Sequence, residues 1–349
     1  MGAAVSFAEQ IQAPANALAE LSARLADDLA DCNRTIVERM QSPVPLIPRL
    51  AAHIVAAGGK RIRPVLTLAS ARMCGYPDGG SWAGNRPGNR HVQLAACVEF
   101  IHTATLLHDD VVDESALRRG LASANAVFGN QASVLVGDFL FARAFQMMVA
   151  DGSLRVLAIL SEAAATIAEG EVLQLATQND LATPQGRYLE VIQGKTAALF
   201  AAACRIGPVL TGRPETEEEA LTLYGRNLGM AFQLTDDALD YSADQAALGK
   251  TVGDDFREGK VTLPVLLAFA AGDTAEQGFW RRVIEERAQC EDDLPRALSL
   301  LERHGAIAAT IGRAAEFARA AQDALAVLPP SPWRASLAAV AEFAVNRRS

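Results

Sequence analysis

Two acidic triads of identical spacing sit where acid is costly, and any fold this chain adopts has to supply cations for both. The first, Asp109-Asp110-Val111-Val112-Asp113, ends the apolar run FIHTATLLH; the second, Asp236-Asp237-Ala238-Leu239-Asp240, follows MAFQLT. On a helix the i, i+1, i+4 spacing sets the first and last carboxylates one turn apart on one face, with the middle one beside them. Three such anions repel, and taking each out of water costs several kcal/mol unless cations neutralise it. Hard metal ions with oxygen ligands meet that demand, and Mg²⁺ usually binds through one or two carboxylates plus phosphate oxygens. A solvated helix end would explain one cluster, but the apolar flanks leave little solvated face and the pattern recurs. The pair suggests a diphosphate held between two acidic walls through magnesium.

Helix is the expected medium for both triads. Of the 349 residues 50% are hydrophobic, Ala and Leu dominate, and aromatics are few. Strand-like alternation of Val, Ile and Thr is scarce, a mix that favours an all-α protein. A formal charge of −9, with no Lys/Arg block, argues against nucleic acid as partner. The five cysteines, Cys32, Cys74, Cys97, Cys204 and Cys290, form no metal-binding pairs and read as buried thiols of a reducing compartment. Asp27, Asp28 and Asp31 fall where a secretory signal would need apolar residues. The opening Met-Gly-Ala-Ala-Val-Ser fits a short myristoylation pattern without polybasic support. No uninterrupted apolar stretch long enough for a bilayer is expected, so the reading is a cytoplasmic protein without a transmembrane segment.

The chain is expected to fold as one large bundle of about 10–14 helices around a central apolar cavity. Residues 1–16 read as a flexible N-terminal arm and 17–349 as the domain. Asn16 is a candidate N-cap, and Leu18, Leu21, Leu25 and Leu29 form one buried stripe. Pro43, Pro45 and Pro48 break the chain before a helix containing Ile54 and Val55; Gly58-Gly59 ends it. Lys60-Arg61-Ile62-Arg63-Pro64 opens the next helix, with proline tolerated in the first turn. GYPDGGSWAGNRPGNR, over 75–90, is a surface loop. A helix over 91–112 is apolar on nearly all sides and hence central. Further helices are expected near 131–150, 153–178, 185–206 and 216–241. A polar loop over 249–259 precedes a buried helix from Thr262, and others lie near 276–290, 293–304 and 306–327. Pro329, Pro330 and Pro332 precede the last.

Cations accompany the acids. Arg118 and Arg119 follow the first triad, Lys195 lies mid-helix after Gly194, and Lys250 and Lys260 bracket GKTVGDDFREGK beyond the second. Arginine grips phosphate bidentately and lysine acts as a point charge, so distributed cations fit two diphosphates better than one. In this order and spacing, GGKRIRP, LLHDDVVDESALRRG, GKT, FQLTDDALDY and GKTVGDDFREGKVTLP resemble the trans-isoprenyl diphosphate synthases (polyprenyl synthetases), over about residues 50–270. The long-chain octaprenyl, nonaprenyl and decaprenyl enzymes are the nearest in character.

The resemblance implies roles position by position. Asp109 and Asp113 would ligate magnesium in the first motif, supported by Asp110; Asp236 would do so in the second, with Asp237 and Asp240 in supporting or water-mediated roles. About two or three Mg²⁺ per site are implied. Arg118, Lys195, Thr196, Gln233, Lys250 and Lys260 would hold the allylic diphosphate, and Lys60, Arg63, His102 and Arg119 the isopentenyl diphosphate. His102 alone on an apolar helix would be an ordinary core histidine; its place seven residues before Asp109 points to a ligand role. His53, His91, His108 and His304 receive none.

The implied chemistry is ionisation of the allylic diphosphate, attack by the isopentenyl double bond, proton loss and repetition, with water excluded. Product length would be set by Ile101, Ala104 and Thr105, before the first aspartate. Thr105 and Ala104 are small where bulky aromatics close the pocket in short-chain relatives. A long all-trans product of roughly C40 to C50, serving as a quinone side chain, is therefore expected. A shorter geranylgeranyl or farnesyl product is the alternative, and a non-catalytic subunit of a heteromeric synthase is one of another class, set against two intact acidic triads. A terpene cyclase would show a mixed Asn, Ser/Thr and Glu second metal site. A homodimer, and transient membrane contact for product release, complete the expectation.

Overall fold

The computed structural model describes residues 16–56, 58–77, 88–118, 120–242 and 252–347. All but the last residue of the expected arm over 1–16, most of the 75–90 loop, Arg119 and Lys250 lie outside them. The chain is all-α apart from one two-stranded hairpin, β1 (Leu117–Arg118) and β2 (Leu121–Ala122), among the described residues. The helices are α1 (Ala17–Arg24), α2 (Ala26–Arg39), α3 (Leu46–Ala56), α4 (Ile62–Met73), α5 (Arg90–Val112), α6 (Ala124–Phe128), α7 (Asn130–Asp151), α8 (Leu154–Thr177) and α9 (Gln185–Ile192). They continue with α10 (Ala198–Thr211), α11 (Glu215–Leu239), α12 (Asp254–Glu258), α13 (Leu263–Ala271), α14 (Thr274–Trp280), α15 (Asp293–Arg303), α16 (Ala306–Ala324) and α17 (Pro332–Asn346).

More helical segments appear than the ten to fourteen expected because several rods are cut into pieces. Leu25, at φ −103° and ψ 18°, divides α1 from α2 although the leucine stripe runs through it. A π-helical turn, Gln193–Ala197, joins α9 to α10, and a second, Arg281–Glu285, extends α14. α10 runs on to Thr211, past the expected end near 206 and through Pro208. The hairpin, α6 and the five-residue α12 were not expected from periodicity. Asn16 does cap α1, its side chain accepting the Ala19 N–H at 3.1 Å.

The core gathers where α4, α5, α8, α10 and α11 meet. α5 packs along α7 and α4; α10 packs against α4, α8 and α11; α11 lies along α16. Phe100, Ile101, Leu94, Leu66, Leu68 and Phe200 are fully buried, each burial worth about 1.5–3 kcal/mol. A smaller apolar cluster around Trp280, Phe256, Ile284 and Leu301 holds α12 to α15.

Two surface expectations need correction. Among the described residues α7 is one helix long and apolar enough to span a bilayer by length and composition. Its most apolar 18-residue window has mean hydropathy 1.4 and is 39% buried. The sequence reading missed it because Asp138 and Arg143 interrupt the apolar run, yet two charges barely lower the mean. Its Val136, Gly137, Leu140 and Ala144 are buried, while Leu135, Phe145 and Val149 are exposed. Of the five thiols four are buried and Cys290 is exposed.

Candidate active site

α5 and α11 each end in a triad, and side-chain contacts join the two triads. Asp110 is 2% exposed, and its carboxylate is met by Arg118 Nε at 2.7 Å. The hairpin places that arginine, and Asn125 donates to the Asp110 carbonyl at 3.0 Å, fixing the chain beyond the triad. Lys195 lies between Asp109 and Glu171, with Nζ 3.6 Å from Asp109 Oδ2 and 2.8 Å from Glu171 Oε2. Lys260 Nζ reaches Asp113 Oδ2 at 3.0 Å. In the second triad Arg347 Nη2 donates to Asp236 Oδ1 at 2.7 Å. Asp109, Asp110, Asp113 and Asp236 thus each have a protein cation beside them.

Lys195 and Thr196 owe their position to a backbone device. α8 crosses the π-helical turn at Gly170 and Gly194, so closely that a Cβ on Gly170 would stand 2.6 Å from the Lys195 nitrogen. π-turns inside helices recur at functional sites because they re-aim consecutive side chains. Here Lys195 faces the first triad while Thr196 Oγ1 donates to Gln233 Oε1 at 2.8 Å. Gln233 Nε2 in turn donates to Asp237 Oδ1 at 2.8 Å, and the Tyr188 hydroxyl donates to Asp237 Oδ2. Asp109, Lys195, Thr196, Gln233 and Asp237 therefore form one path from triad to triad. Lys260 opens another: it touches Asp113 and lies in the field of Asp255, beyond the second triad.

The members of each triad have different surroundings. Asp237 is 4% exposed with both oxygens taken, so it shapes the site from within. Asp240 accepts the backbone N–H groups of Asp254 at 3.2 Å and Asp255 at 3.1 Å, and so anchors α12 and the Lys260 beyond it. That commits its carboxylate to the backbone, a contact the spacing alone did not reveal. Asp236 remains 45% exposed.

Burial raises the Asp109 carboxyl, Lys195 lowers it and Asp113 raises it, for a net rise. Burial likewise lifts Asp237 and Asp240 to about 6, and Glu171 to about 7, against the pull of their partners. Burial works against the Lys260 charge, yet Asp255, Asp113 and Glu258 hold it above the ordinary lysine range. This is a site with more negative charge than its own cations comfortably balance.

All donors here are hard oxygens, and Glu171 Oε1 is buried without a hydrogen-bond partner. Among the described residues no group of three acidic, histidine or cysteine side chains is placed to hold an ion by itself. Mg²⁺, whose shell is usually completed by water and substrate phosphate, suits carboxylates that are part-buried, as Asp109, Asp113 and Asp236 are.

Of the residues matched to the second substrate, Arg63 on α4 and His102 on α5 lie together. Arg63 Nη1 donates to His102 Nε2 at 3.0 Å, and its guanidinium sits 4.6 Å above the Phe200 ring. Lys60 lines a small pocket with Ile62, Phe232, Phe343 and Arg347. Arg61, in left-handed backbone at φ 47°, turns away to pair with Glu99. Ile101 and Ala104 are enclosed at 0% exposure, whereas Thr105 is half-buried and its hydroxyl donates to the His102 carbonyl at 2.7 Å. Sequence reasoning missed Glu171, Tyr188, Asp255 and Arg347; GEVLQL and the final VNRRS carry no spacing that marks them.

The sequence profile described as polyprenyl synthetase matches residues 44–301. The octaprenyl diphosphate synthase of Escherichia coli is 50% identical over 330 residues, 95% of this chain and 99% of its own. A solved polyprenyl synthase from Caulobacter crescentus, complexed with calcium and isoprenyl diphosphate, superposes with TM-score 0.89 at 52% identity, covering 95% of this chain and 98% of that one. A decaprenyl diphosphate synthase from Rhodobacter capsulatus gives TM-score 0.88 at 51% identity, with 95% and 99% covered.

Proposed function

The chain belongs to the polyprenyl synthetase family, and from that premise we propose a magnesium-dependent trans-polyprenyl diphosphate synthase that adds isopentenyl units head to tail to an allylic diphosphate. The observation that carries this reading is a pair of aspartate triads, joined through Lys195, Thr196 and Gln233, that each meet their own lysine or arginine. Long-chain relatives at about half identity, the octaprenyl and decaprenyl enzymes among them, support a long all-trans product.

In this reading Asp109, Asp113 and Asp236 would hold the magnesium. Bound there, it supplies Lewis-acid stabilisation of the departing diphosphate. Arg118, Lys195 and Lys260 reach the same oxygens from the side and take up the charge that develops on the leaving group. Thr196 and Gln233 fix the allylic end, and Asp237, held by Tyr188, keeps Gln233 aimed. Lys60, Arg63 and His102 bind the isopentenyl diphosphate; Arg119 and Lys250 complete the two phosphate sites by family pattern. The apolar helices beneath the triads exclude water that would trap the cation. Thr105, at the half-buried edge of α5, is where the growing chain enters, with Ala104 and Ile101 small or aliphatic behind it.

A homodimer belongs to the same proposal, supported by Leu135 and Val149 of α7, each 67% exposed, and by Leu154 at 82%. A single domain over 17–349, cytoplasmic action and use of the product as a quinone side chain rest on the family pattern, with the buried thiols in accord. Purified protein given Mg²⁺, farnesyl diphosphate and labelled isopentenyl diphosphate should yield a lipid of at least eight isoprene units. Turnover that persists in excess chelator, or a product that stops at geranylgeranyl length, would overturn the reading.

A further inference from the structure

We propose that Asn179 and Gln289 are positioning residues for Lys260: their amides tie the end of α12 to the π-helical turn Arg281–Glu285 and so aim the lysine at the first triad. The inference rests on the phosphate-binding role given to Lys260 above and deepens it. Lys260 lies two residues beyond α12, which has only five residues, too few to hold a helical turn unaided. Asp240 grips the first N–H groups of that helix. At its other end Gly259, at φ 71°, turns the chain. The Gly259 N–H then donates to the Phe256 carbonyl at 3.1 Å and the Lys260 N–H to the Asp255 carbonyl at 2.9 Å. From there Lys260 Nζ reaches Asp113 Oδ2 at 3.0 Å.

Two loops distant in sequence fix that far end. Asn179, just after α8, sits in left-handed backbone at φ 57°. Carbonyl acceptors face one side of its amide, so the nitrogen is assigned there, donating to the Gly259 carbonyl at 3.1 Å and the Ile284 carbonyl at 3.3 Å. Gln289 Nε2 donates to the Phe256 carbonyl at 2.8 Å and the Val283 carbonyl at 3.0 Å. Each amide thus joins one carbonyl of the α12 end to one of two successive carbonyls at the end of the π-turn, where a helix lacks a following turn to satisfy its acceptors. The platform is firm. Val283 and Ile284 are fully buried, and Arg282 closes the loop carrying Gln289 by donating to the Ala288 carbonyl and to both Asp293 oxygens. A Cβ on Gly259 would run into the Asn179 amide, so this crossing tolerates little movement. Both nitrogens are spent on backbone carbonyls, and their influence on the chemistry passes through Lys260.

The test measures condensation of farnesyl diphosphate with labelled isopentenyl diphosphate by the full chain at saturating Mg²⁺. N179G keeps a backbone that accepts positive φ and deletes only the amide. It should lower kcat/KM for farnesyl diphosphate by roughly ten- to a hundredfold, as a displaced cation does, and leave KM for isopentenyl diphosphate within about twofold. Q289A should repeat that pattern from the other loop, and decides the matter if N179G does not fold. K260A sets the ceiling of the loss, and N179G should add nothing in a K260A background. Wild-type rates in either amide variant would overturn the proposal. So would an undiminished loss in the K260A background, or an equal rise in KM for isopentenyl diphosphate, which marks general damage to the fold. K260A with wild-type rates would overturn it as well, by removing the lysine from the site. Wild-type protein that forms no condensation product would instead bring down the synthase reading itself.

Discussion

Gly170→Ala is the most informative single change, because it displaces a cation without touching it. The new methyl would meet the Lys195 nitrogen at 2.6 Å and the Gly194 carbonyl carbon at 2.9 Å, both backbone atoms that cannot rotate away. Ordinary carbon contacts lie near 3.5–4.0 Å, so α8 and the π-helical turn must part by about 1 Å. A shift of that size is worth roughly a hundredfold in rate where a reacting group is held in place. The stability balance is mixed. Overpacking costs about 1–3 kcal/mol, and alanine returns about 1 kcal/mol as the better helix former, leaving a net loss of about 0–2 kcal/mol. Turnover with saturating substrates should fall about a hundredfold while the fold survives. Gly312→Ala is the control: its Cβ would meet nothing within 4 Å, so activity should hold and stability rise by about 0.5–1 kcal/mol. Wild-type rates in Gly170→Ala would refute the claim that this crossing aims Lys195.

Three further outcomes follow from the geometry. Asp109→Ala should abolish turnover at saturating magnesium, and near-normal rates would remove Asp109 from the site. Thr105→Phe should shorten the product in chromatographic sizing, since the position is half-buried; Ala104, fully enclosed, would be overpacked by the same change, and an unshortened product would mean that the chain runs elsewhere. Burial raises Asp28 but hydrogen bonds from His91 and Arg72 outweigh it, leaving its carboxyl at about 2. A depressed carboxyl contributes stability that is fully present above its unfolded value of about 4 and is lost as pH falls from there toward 2. Urea midpoints of wild-type protein should therefore drop across that window, and Asp28→Asn should flatten the drop; parallel curves would contradict it.

The long helices and the triads were legible in the sequence for the same reason. Apolar periodicity over twenty residues and carboxylates repeated at i, i+1, i+4 are signals carried along one element, as in α5 and α11. The pieces that were not legible depend on meetings between elements. Nothing in QGKTA announces a π-turn; it follows from α8 pressing Gly170 against Gly194. Asp240 reads as a supporting or water-mediated acid of its triad; that it anchors α12, too short for a periodic signature, through two N–H groups shows only in the fold. Arg347 lies 111 residues from Asp236, a distance over which no local pattern speaks.

The pairing of Asp109, Asp110, Asp113 and Asp236 with Lys195, Arg118, Lys260 and Arg347 bears on what happens between catalytic cycles. When pyrophosphate departs with its ions, the vacated acids do not confront each other bare, because ammonium and guanidinium groups are already within reach. The scaffold can thus idle, empty and intact, until the next primer arrives. A preparation stripped of divalents should accordingly stay helical and cooperative in its melting, silent as a catalyst yet ready to be recharged.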